Sequence, residues 1–167
     1  MSQGARIAAR LRAAIDEGAA LFDGVSEEQT AWRPAAGEWC AREVIGHLID
    51  SACNNHRRFI LNQDAERLSI DPYDQEKWVS LSHYADTPAS VLVPAWRTCN
   101  GQIARVIERI PDEVLSRRRG AILDYRFAYL NYQPSDAATL RDLVEDYVGH
   151  IHHHFKQIRV LVSARAG

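Results

Sequence analysis

The chain has 167 residues, 46% of them hydrophobic and 25% charged, enough for one domain with a sizeable core and too few for two. A formal net charge of −2 excludes the electrostatic footprint of a nucleic-acid or anionic-membrane binder. There is no long apolar run and no basic-then-apolar leader. The three cysteines, Cys40, Cys53 and Cys99, lack CxxC spacing, so reduced thiols and a cytoplasmic location are expected.

Residues Ala5 to Phe22 carry Ile7, Leu11, Ala14, Ile15 and Leu21 at mixed three- and four-residue spacing. That pattern, rich in alanine and arginine, predicts an amphipathic helix, slightly weakened by Gly18 and stopped near Gly24. Ser26 to Gln29 has the form of a capping box and predicts a short turn before Pro34. Trp32, Pro34, Gly37 and Trp39 then form a linker.

A second helix is expected from Cys40 to about Asn62, with Val44, Ile45, Leu48, Ala52 and Phe59 on one face. His47 borders that stripe. Ser51 and Asn54 share its meridian, and Asp50 lies one turn along. His56 falls about 180° from His47 at roughly 100° per residue, so one ion cannot use both.

From Gln63 to Asp86 the helical pattern breaks. Asp71-Pro72-Tyr73-Asp74 reads as a turn, and Tyr73, Trp78 and Tyr84 make the connection aromatic, as a lid packed on the bundle end would be. A third helix is expected from Pro88 to Arg109, with Pro94 kinking it or shifting its start, and Pro111 to Glu113 ending it. Residues Arg117 to Pro134 stay open: Ile122 to Tyr132 suits a short hairpin or an extended arm. Arg117, Arg118 and Arg119 read as a solvated run.

The last helix is capped by Ser135 or Thr139 and runs to about Val162. Leu140, Val144, Val148, Ile151, Phe155, Ile158 and Val162 form its core stripe. It contains the run HIHHH, from His150 to His154. On the helical wheel His150 and His154 flank the core stripe one turn apart, His152 points almost opposite, and His153 lies further out. Such an i,i+4 pair is half of a divalent-metal site. Four long helices with one aromatic excursion predict an all-α, four-helix-bundle domain over residues 1–167.

His47 and the His150–His154 pair all border apolar stripes, and in a bundle such borders face a cleft between helices. Two readings stay open on the residues alone. Either the three imidazoles hold a zinc- or nickel-like ion with a position left for water or substrate, or they are hydrogen-bonded histidines at the bundle edge.

Trp39 followed by GHLIDS (Gly46 to Ser51), YDQEKW (Tyr73 to Trp78) and HIHHHFKQI (His150 to Ile158) make the chain resemble the DinB-like (DinB/YfiT) superfamily over nearly its whole length. The resemblance implies a four-helix bundle with an irregular connection between its second and third helices. It also implies a divalent metal, zinc or nickel, on His47, His150 and His154. The activity implied is that of a metal-dependent enzyme, a thiol S-transferase or a hydrolase, with a small-molecule substrate and a low-molecular-weight thiol as cosubstrate. The alternative is a non-catalytic bundle that binds a small ligand or another subunit and keeps a structural or vestigial metal site. Gln157, at i+3 from His154, is a candidate to hydrogen-bond a ligand or bound water. Asp50, at i+3 from His47, is a candidate to orient an imidazole or act as a base, against a solvated helix carboxylate. A homodimer is expected, with neither nucleic acid nor membrane as partner.

Overall fold

The computed structural model describes residues 1–119, 128–129 and 138–164. Its elements are helical throughout, with no strand among the described residues: α1 (Gln3–Ala20), α2 (Glu27–Ala31), α3 (Ala41–Leu61), α4 (Gln75–Leu81), a 3-10 turn (Tyr84–Asp86), α5 (Ala89–Arg109), α6 (Asp112–Ser116) and α7 (Leu140–Ser163). The open hairpin-or-arm reading of Ile122 to Tyr132 lies almost entirely outside the described residues, as does the candidate cap Ser135.

Local chemistry explains where the helices start. Ser2 accepts from Ala5 N–H, and Ser26 and Gln29 exchange backbone and side-chain bonds in the expected capping box. Thr139 caps α7, exchanging bonds with Asp142 in the same way. Pro88 opens α5 where expected, and Pro94 is accommodated inside the helix, where it removes one donor.

The four long helices close a ring: α1 lies against α5, α5 against α3, α3 against α7, and α7 against α1. Their apolar stripes meet in one core that includes Leu11, Leu48, Phe59, Trp96, Ile103, Ile107, Ile151 and Phe155, each fully buried. The four-helix bundle is therefore built by burial of matching faces rather than by propensity alone. Gly18 is set by this packing. A Cβ there would lie 2.4 Å from the Phe155 ring and 2.6 Å from Trp96, so only glycine lets α1 approach so closely.

Three local expectations are corrected. The segment from Gln63 to Asp86 is not irregular throughout: it contains α4, capped by Asp74, and the 3-10 turn, both packed on α3. Pro111 to Glu113 does not simply end a helix, because α6 follows, and its Asp112 accepts from Gln3 N–H at 2.8 Å to hold the start of α1. Arg119 is not solvated. It is 4% exposed, and its guanidinium donates to the carbonyls of Asn62 and Ala65, which satisfies backbone at the C-terminus of α3. Arg117 and Arg118 remain exposed. No helix among the described residues is long and apolar enough to cross a membrane.

Candidate metal centre

The bundle brings His47 of α3 and His150 and His154 of α7 into one cluster. Their candidate ligand nitrogens all lie within 4.8 Å of one another, and His47 Nε2 stands 3.1 Å from His150 Nε2. Two nitrogens bound to one tetrahedral zinc at about 2.1 Å each would be roughly 3.4 Å apart, so the His47–His150 pair stands near the spacing that a shared ion requires. The ring centroids are 4.6 to 5.1 Å apart.

Neighbouring side chains set the ring orientations. Gln157 Oε1 lies 2.9 Å from His154 Nδ1. An amide oxygen only accepts, so Nδ1 carries the proton and the lone pair is left on Nε2. Ser51 Oγ, itself accepting from Asn55 Nδ2, lies 3.2 Å from His150 Nδ1 and turns Nε2 of that ring toward His47. His47 sits between Trp39 and Tyr73, at centroid distances of 5.2 and 6.5 Å. Its Nδ1 is buried with no partner among the described residues. Binding an ion through Nε2 would place the ring proton on Nδ1.

Gln157 therefore touches a cluster histidine, whereas Asp50 faces elsewhere. Its Oδ1 accepts from the Tyr84 hydroxyl at 2.6 Å, its Oδ2 is buried without a partner among the described residues, and burial raises its pKa above the usual carboxylate value. Asn54 donates to the Asp50 carbonyl, and it is Asn55 that reaches the cleft. The helix explains the difference. Ser51 and Asn55 advance about 40° and 80° round α3 from His47, toward α7, while Asp50 and Asn54 fall on the other flank. His56 stays outside the cluster, and exposed His152 lies 3.7 Å from Glu17.

A cleft of about 440 Å³ opens over the three histidines, with Ser51, Asn55, Arg58, Tyr73, Asp146 and Tyr147 in its wall. Reading the sequence missed Arg58 and Ser51 as wall residues. The signal was present, since positions 47, 51, 55 and 58 form one helical stripe. Tyr73 and Tyr129 arrive from connections, and no periodicity marks them.

The cluster is electrically neutral at ordinary pH. Burial, then the neighbouring His154, pushes the His47 pKa down to about 4. Burial, then His154 and His47, pushes His150 down to about 2, and burial lowers His154 as well. A histidine in the unfolded chain titrates near 6.5. Below that pH the unfolded metal-free chain takes up protons that the folded cluster refuses, so stability falls as pH falls. The metal-free protein is expected to lose about 1.4 kcal/mol per pH unit for each such histidine, from pH 6.5 down to about 4 for His47 and further for His150. Urea unfolding at pH 8, 6.5 and 5 checks this. A midpoint unchanged between pH 6.5 and 5 would contradict it.

The chain belongs to the DinB superfamily, whose family profile matches residues 10–158. It is 28% identical over 131 residues to the Bacillus subtilis protein named "Putative metal-dependent hydrolase YfiT", covering 78% of this chain and 67% of that one. A protein of Oceanobacillus iheyensis with the same description is 22% identical over 145 residues, 87% of this chain and 77% of the relative. Among solved structures, YfiT from Bacillus subtilis superposes with a TM-score of 0.77 at 22% identity, over 97% of this chain and 87% of that one. That structure is described as "a probable metal-dependent hydrolase with an unusual four-helix bundle topology" and shares the fold seen here.

Proposed function

We propose that this member of the DinB superfamily is a metal-dependent hydrolase whose ion is held by His47, His150 and His154. One observation carries the reading: three neutral imidazoles, buried or half-buried, converge, with two of them turned by Ser51 and Gln157 so that Nε2 faces the cluster. The donor set fits. Three protein nitrogens are the ligand count of catalytic rather than closed structural zinc sites, and imidazole suits zinc or nickel. The names carried by the relatives point to the same class of reaction.

When bound, the ion supplies a Lewis acid and lowers the pKa of water toward neutrality. The remaining work falls to the chain. Ser51 and Gln157 hold His150 and His154 in register, and Trp39 and Tyr73 shield the His47 ring from bulk water. Burial keeps the Tyr73 hydroxyl protonated, its pKa pushed up to about 12, so it can donate to a polar group in the cleft. Arg58 brings the guanidinium that a substrate would meet in the same wall.

The test is turnover of an ester, amide and phosphoester panel by metal-stripped and zinc- or nickel-reloaded protein. Hydrolysis that returns with metal is expected. A protein carrying one ion per chain yet inert across the panel would overturn the reading. Turnover only after adding a low-molecular-weight thiol would replace hydrolysis by thiol transfer.

A further inference from the structure

Two thiols are left unused by the metal centre. Cys53 on α3 and Cys99 on α5 are both free, and neither lines the cleft over the histidines. Helices α3 and α5 pack along one another, and the two cysteines meet in that seam. There the Cys99 thiol lies within hydrogen-bonding reach of the Cys53 thiol. A third group places them together. The buried Tyr147 hydroxyl, donating to Asn100 Oδ1 at 2.6 Å, has its pKa raised by burial and then by both thiols. Cys40 is the contrast, buried at the start of α3 with Glu43 and Arg33 as its charged neighbours.

Helices packed about 8–10 Å apart bring facing Cα atoms within the roughly 4–7 Å that a disulfide spans. Cys53 is exposed and Cys99 half-buried, so a small reagent reaches the first sulfur from solvent while the second waits beside it. On α3, Cys53 stands about 120° from His47 at roughly 100° per residue, so a link there leaves the ligand-bearing face untouched. Burial, then the neighbouring Cys99, pushes the Cys53 thiol above its ordinary value, which makes it a slow nucleophile at neutral pH rather than an inert one.

We propose that Cys53 and Cys99 form a reversible redox pair, closed by a low-molecular-weight disulfide into a bond that clips α3 to α5. The Cys53 thiolate attacks one sulfur of the reagent, bonds to it and expels the other half as a thiolate. The Cys99 thiolate then attacks the Cys53 sulfur, forming the Cys53–Cys99 bond and expelling the second half. The two protein thiols lose two electrons, the reagent gains them, and the two protons leave with two small thiols. The closed clip ties residue 53 to residue 99, restricts the unfolded chain and so stabilises the bundle. The pairing depends on neither the metal nor the hydrolase reading.

Prolonged incubation of the untagged protein with oxidised glutathione tests it. Trypsin digestion without reductant should yield one species joining Glu43–Arg57 to Thr98–Arg105, lost on adding dithiothreitol. The closed protein should melt about 5 °C or more above the reduced one. Cys53→Ser, at an exposed and so tolerant position, should abolish both the linked species and the shift. Cys99→Ser should stop at glutathione bound to Cys53. Glutathione retained on Cys53 of the wild-type protein, a disulfide between two chains, or no reaction at either thiol would overturn the inference. So would a linked protein that melts no higher than the reduced one.

Discussion

His150→Ala is expected to lower the affinity for a divalent ion by more than about 100-fold while leaving the bundle folded. Changing a residue that only orients a ligand already costs about 10- to 100-fold in affinity or activity, so removing a ligand exceeds it. His150 ties α7 to α3 in the cluster, with Nε2 3.1 Å from His47 and Nδ1 3.2 Å from Ser51. Its side chain belongs to the cleft wall rather than to the apolar core, so truncation opens the cleft without unpacking a helix. Hydrolytic turnover should fall to background. A ligand at about a thousand times its dissociation constant adds roughly 4 kcal/mol to stability, and the variant should lose that gain on metal addition. Metal titration and thermal unfolding with and without zinc measure both effects. Unchanged affinity would remove His150 from the ligand set.

Phe155→Ala should have the largest effect on folding, a loss of about 3 to 5 kcal/mol. The ring is fully buried, meets Trp96 edge-on at 5.8 Å, and covers Gly18 where α1 approaches α7. Gly18 meets the ring from α1 with no side chain, so that position has nothing to fill the void. For a chain of this size such a loss lowers the melting temperature by about 10 °C or more. Phe155 directly follows His154 but faces the core, so the folded fraction of the variant should still take up metal. A loss under 1 kcal/mol, or metal loss equal to that of His150→Ala, would contradict this placement.

The long helices were readable because each buries a continuous stripe, such as Val44, Ile45, Leu48, Ala52 and Phe59 on α3. The short helices α4 and α6 were not, since each buries a single side chain, Val79 and Leu115 respectively, and so shows no period. The wheel also separated His150 and His154 from His152, because helix geometry alone decides which neighbours share a flank. It could not say on which side of His47 the cleft would open. That depends on how α3 is rotated against α7, and it puts Ser51, Asn55 and Arg58 in the wall while Asp50 turns to Tyr84. The burial of Arg119 follows from carbonyls left open at the end of α3, which a run of three arginines does not reveal. Gly18 looked like a weak point in a helix and is instead a contact point between helices.

The most direct test of the central claim is the divalent-metal content, by mass spectrometry, of protein purified without a histidine tag, alongside His47→Ala made in the same way. About one ion per chain in the first and almost none in the second is the predicted result. A wild-type protein that holds no ion and takes up neither zinc nor nickel when they are offered, or a His47→Ala protein that holds as much as wild type, would contradict it.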